Sequence, residues 1–114
     1  MTWQEVLEHK SLQDLPFKIE LNKNGLVIMS PLTNLHGFIT VEIGVRLRRI
    51  LPNGCCVIGA SIQTTKGVRV ADVIWALKTF VQDNCHQNPF LTAPPICVEI
   101  ISPSNSKKEI SQKM

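Results

Sequence analysis

The chain is predicted to fold as a mixed α/β (α+β) domain, with a sheet packed against helices. Apolar residues recur at helical spacing in one long segment and form short strand-like runs elsewhere, in the order helix, hairpin, helix, strands, helix. The 114 residues suffice for one core, so 1–114 is read as a single domain. The apolar fraction of 44% with 18% charged residues is ordinary for a globular chain and argues against disorder.

Thr2 with Glu5 three residues on forms a capping box, which predicts a short helix through about His9. Phe17 to Leu21 and Leu26 to Met29 flank Asn22-Lys23-Asn24-Gly25, and Asn-Gly between two apolar runs predicts a hairpin. Pro31 to Asn34 punctuates the chain. A helix is then expected from about Leu35 to Leu51, with Leu35, Phe38, Ile39, Ile43, Leu47, Ile50 and Leu51 on its apolar stripe. Glu42 and Arg46 form an i,i+4 pair off that stripe. Pro52-Asn53-Gly54 ends the helix. Strands follow at Cys55 to Gly59, Val68 to Trp75 and Ile96 to Ile101, and Gln82 to Asn88 and Pro94-Pro95 separate the last two. Ser106 with Glu109 forms a second capping box and opens a final helix.

No apolar stretch approaches the ~20 residues needed to span a bilayer, so no membrane partner is expected. The first residues lack a basic region followed by an apolar one, which makes a cytoplasmic location the expectation. Cys55, Cys56, Cys85 and Cys97 contain no Cys-x-x-Cys pair and suit reduced thiols. The net charge of +3 is compatible with nucleic-acid binding without announcing it.

Two acids stand out. Strand alternation puts Asp72 on a face with Val68, Val70 and Ile74, and Glu99 on a face with Cys97 and Ile101. An unpaired carboxylate among apolar residues costs several kcal/mol or a large pKa shift, of about 3–5 units. A shared Mg²⁺ or Mn²⁺ would compensate both, because hard cations prefer oxygen ligands. The alternative is that each acid reaches solvent at a strand end or pairs with an arginine such as Arg69. The last helix supplies lysines: Lys107 and Lys108 in its first turn, and Lys113 four residues after Glu109. A lysine beside a bound phosphate orients water or balances developing charge. His36 and Glu20 are auxiliary candidates. His36 either assists a phosphate or pairs with a carboxylate, or is a surface or capping histidine.

These residues also carry a resemblance. Ser30-Pro31 with His36, Val70-Ala71-Asp72-Val73, the block Ala93-Pro94-Pro95-Ile96-Cys97-Val98-Glu99-Ile100-Ile101-Ser102-Pro103-Ser104, and Lys113 together resemble the Uma-two family, restriction endonucleases with a PD-(D/E)xK-type core. Glu20, Gly25 and Met29 fall on the same pattern. The resemblance implies a restriction-endonuclease-like sheet flanked by helices and a metal-dependent endonuclease acting on DNA. Asp72 and Glu99 would be metal carboxylates, the backbone carbonyl of Ile100 a third ligand, and Lys113 the catalytic lysine. Ala71 stands where the pattern has proline, and Ile101 where many such nucleases carry the lysine. Family members continue beyond this lysine, so an incomplete domain that self-associates into a homo-oligomer is expected. The competing readings are a catalytically inactive nucleic-acid-binding or assembly module, with Arg46, Arg48 and Arg49 supplying charge, and a truncated remnant.

Overall fold

The computed structural model of the protein describes residues 1–101. Helix α1 (Trp3–Glu8) starts on the expected capping box: Thr2 Oγ1 accepts from the Glu5 amide, and Glu5 accepts from the Thr2 amide. A 3₁₀ turn (Lys10–Leu12) leads into β1 (Phe17–Asn22) and β2 (Val27–Pro31), paired antiparallel from Phe17↔Pro31 to Leu21↔Val27. The turn between them is the predicted Asn-Gly hairpin. Gly25 takes φ +76, and the Asn22 side chain accepts from the amides of Asn24 and Leu26.

Helix α2 (Asn34–Ile50) begins on Thr33, whose side chain accepts from the His36 amide. Strands β3 (Gly54–Thr64) and β4 (Gly67–Leu77) then form a long antiparallel hairpin, α3 (Lys78–Asn84) follows, and β5 (Ile96–Val98) is the last strand among the described residues. Among the described residues the five-stranded sheet runs β2-β1-β4-β3, and β5 also pairs with β4, with every ladder antiparallel. Two packed clusters hold it together. Ala60, Ile62, Ala71, Ile74, Ala76 and Phe90 pack with Phe80 and Val81 of α3. Val6, Leu21 and Val68 pack with Trp3, Leu12, Ile19 and Val27.

Three expectations are corrected. The stripe of α2 does not face the core as a whole: Leu35, Phe38 and Ile50 are exposed, whereas the buried residue is Thr40. The first strand after α2 runs on past Gly59 to Thr64, and a helix occupies the start of the segment read as a polar spacer. Alternation also breaks near Asp72. Ala71 and Ile74, three residues apart, share one cluster, and opposite Asp72 the β3 residue Gly59 takes φ +69 and drops out of the ladder.

Candidate functional site

Strand β4 is the reference for the site. Its one edge is paired along its length with β3. Its other edge is shared: β1 pairs only at Leu21↔Val68 and Asn22↔Gly67, and β5 only from Val73↔Val98 to Trp75↔Ile96. Between them the sheet forks, and backbone groups in the fork need partners from side chains. Glu20, buried on β1, accepts from the Val70 amide at 2.8 Å. Asp72 Oδ2 accepts from the Ile100 amide at 2.7 Å, just past the end of β5. Each carboxylate replaces a ladder bond that the diverging strands no longer supply.

The fork gathers charges. Lys18, two residues before Glu20 on β1, places its Nζ 2.8 Å from Glu99 Oε2 and 3.2 Å from Asp72 Oδ1. His36, in the first turn of α2, brings Nε2 to 3.0 Å from the same Asp72 Oδ1. The Thr40 hydroxyl, one turn on, donates to the His36 carbonyl at 2.7 Å and lies 3.5 Å from its Nδ1. Arg69 Nη1 stands 3.8 Å from Glu20 Oε1, so the arginine considered as a partner for Asp72 serves Glu20 instead.

The electrostatics follow the contacts. Burial pushes the Asp72 carboxyl up, but the Ile100 amide, Lys18 and His36 outweigh it and hold it below the ordinary aspartate value. Partial burial raises Glu99, which Lys18 offsets only in part, with the charges of Asp72 and Glu20 adding to the rise. Burial pulls the Lys18 ammonium down; the hydrogen bond and charge of Glu99, with Glu20 and Asp72, reverse that and raise it.

The structure therefore brings Asp72, Glu99, Glu20, His36 and Ile100 into one neighbourhood. Glu99 is not a buried strand acid as its pattern suggested, since its side chain is 55% exposed and lies beyond β5. Ile100 meets Asp72 through its amide rather than its carbonyl. Among the described residues, no group of three or more His, Cys, Asp or Glu side chains is arranged to hold a metal ion. Lys113, Lys107 and Lys108 lie outside the described residues. Lys18 is the participant that sequence reasoning missed; its signal was a lysine spaced two residues from Glu20 in a strand.

A family model described as "Putative restriction endonuclease" matches residues 3–114. A solved structure of a "putative nuclease belonging to DUF820" from Anabaena variabilis ATCC 29413 is similar, with a TM-score of 0.66 at 18% identity. The match covers 99% of this chain and 65% of that one, so the chain spans about two-thirds of the length of the nuclease it resembles. At that identity the likeness speaks for the fold, which is nuclease-like. No curated protein matches the chain.

Proposed function

From the premise that the chain belongs to the Uma2 family, we propose that it is an endonuclease that hydrolyses phosphodiester bonds in DNA with the aid of a divalent ion, Mg²⁺ or Mn²⁺. One observation carries this reading: carboxylates from two segments, Asp72 and Glu99, converge on a single positive charge. Oxygen donors already aimed at a common cation fit a hard metal ion. Asp72 and Glu99 would hold it, with the Ile100 carbonyl as the third ligand that the resemblance implies. When bound, such an ion makes water acidic enough to supply a nucleophile and neutralises phosphate charge.

The chain's own groups do the positioning. The Ile100 amide orients the Asp72 carboxylate, and His36 Nε2 stands 3.0 Å from its other oxygen. Glu20 fixes the β1 side of the fork through the Val70 amide. Lys113 is assigned to balance charge on the phosphate, and residues 1–114 to act as one unit.

A second reading is an inactive nucleic-acid-binding or assembly module. It draws support from the lack of a third acid in metal-holding geometry among the described residues, and from the exposed Arg46, Arg48 and Arg49 on α2. Thermal unfolding after removal of metal with chelator separates the two. Added Mg²⁺ or Mn²⁺ is expected to stabilise the wild type by ~2.7 kcal/mol at about a hundred times its dissociation constant. The same ions should support nicking of supercoiled DNA, and Asp72→Asn should abolish both responses. A melting temperature that ignores both ions leaves the second reading, whose mark is salt-dependent DNA binding without cleavage.

A further inference from the structure

We propose that Lys18 is the resident cation of this site: it holds Asp72 and Glu99 together when no divalent ion is bound, and it must leave their oxygens for one to bind. The inference rests on the metal reading above and concerns a residue that the family pattern quoted for this chain does not include. Lys18 is a positioning residue, since it acts through the two carboxylates.

The geometry leaves little room for a passive lysine. The Lys18 side chain is only 13% exposed, and its ammonium bridges the two carboxylates at 2.8 and 3.2 Å. Asp72 has no idle oxygen: Oδ2 accepts from the Ile100 amide, and Oδ1 is shared by Lys18 and His36. An ion ligated by both Asp72 and Glu99 would lie within a few ångströms of the ammonium, where like charges repel strongly. One cation has to yield. The Ile100 amide belongs to the backbone, and His36 is held in the first turn of α2, with Thr40 bonded to its carbonyl. Lys18 has a flexible four-carbon stem and can withdraw by side-chain rotation alone.

A lysine that occupies the ligand oxygens most of the time weakens metal binding by the fraction of time the site is open. Removing it should tighten binding even though it loosens the metal-free protein. A lysine with a purely structural role would lower stability without moving the metal titration.

The test is a Mn²⁺ titration of the 114-residue chain, with free Mn²⁺ read from its paramagnetic resonance signal, alongside melting in chelator. Lys18→Met is expected to lower the melting temperature in chelator and to lower the half-saturating Mn²⁺ about tenfold or more. Lys18→Arg, which restores a cation, should recover most of the melting temperature and keep the weaker wild-type binding. If Lys18→Met is unfolded in chelator, Mn²⁺ should refold it, because the ion replaces the missing charge. Equal or weaker Mn²⁺ binding by a folded Lys18→Met overturns the proposal while leaving the metal site standing. A Lys18→Met chain still unfolded at saturating Mn²⁺ overturns it too. Absence of Mn²⁺ binding by both wild type and variant removes the metal reading and this proposal with it.

Discussion

Both oxygens of Asp72 are engaged before any ligand arrives, and this gives the residue a measurable signature. Its carboxyl titrates below the ordinary aspartate value in the fold. The stability it contributes is therefore complete above the ordinary aspartate range and is lost as pH falls through the lower folded value. Glu99 runs the other way: its raised value means that its charge costs stability, and the cost sets in as pH rises from the ordinary glutamate range through the folded value. In metal-free buffer, Asp72→Asn should flatten the acid limb. At neutral pH it should cost about 2 kcal/mol or more, because it removes a negative charge facing the largely buried Lys18 ammonium and leaves one amide oxygen where two carboxylate oxygens served Lys18 and the Ile100 amide. Denaturant unfolding from about pH 3 to pH 7 measures both; an unchanged acid limb with unchanged neutral stability would contradict this account of Asp72. Asp72 was legible in the sequence because an acid in an apolar strand must be compensated. What compensates it was not, because Lys18 comes from β1 and joins Asp72 only through tertiary packing, 54 residues away in the chain.

At the scale of elements, the β3–β4 hairpin is the part on which the rest is aligned. Sequence reading found both strands but stopped the first at Gly59, where a glycine looks like an end. In the fold Gly59 is a local departure inside a continuing strand, and Ala60 and Ile62 beyond it are core residues. That alternation was visible but weak, since Ser61, Gln63 and Thr64 around it read as loop. The capping box, the Asn-Gly turn and the Glu42–Arg46 pair, at 2.9 Å, are local features and were legible for that reason. The hairpin turn also depends on a glycine. Gly67 has φ +109, and a β-carbon there would run into the backbone of Leu21 and Asn22 on β1. Gly67→Ala should therefore destabilise the protein by about 1–3 kcal/mol or more. It should also loosen the β1–β4 side of the fork, which is read as a weaker response to Mn²⁺. A variant as stable as wild type would contradict the role of Gly67 in the close β1–β4 approach.

Over the whole molecule, the largest departure from expectation is the side of α2 that faces outward. Helical periodicity identified an apolar stripe correctly as a pattern but could not say which side the sheet would cover. The sheet takes the side bearing His36 and Thr40, with Cys56 of β3 donating to the Gly44 carbonyl. Leu35, Phe38, Val41 and Val45 are left exposed, Phe38 by 76%. An apolar row of this kind is expected to bind a hydrophobic fluorescent dye and to drive self-association, which bears on the homo-oligomer read from the sequence. Phe38→Lys should reduce both, as measured by dye fluorescence and by sedimentation over a wide concentration range. A wild type that stays monomeric and dark to the dye would refute the expectation. Among the described residues no helix is long and apolar enough to cross a membrane.

The fork has one more consequence, for the order in which the protein assembles and breathes. Lys18 and Glu99 are 81 residues apart, so the site forms only when chain segments from both ends of the described fold have docked on β4. The two holds on β4 are unequal. The β3–β4 hairpin is a long local pairing, whereas β5 is tied to β4 by three register pairs and, through Ile100, by one carboxylate. Among the described residues, β5 and Ile100 are held on β4 more lightly than β3 is, and their release dissolves the site while the hairpin persists. Amide hydrogen exchange should see this directly: the Ile100 proton should exchange faster than those of central β4, and Asp72→Asn should hasten Ile100 first.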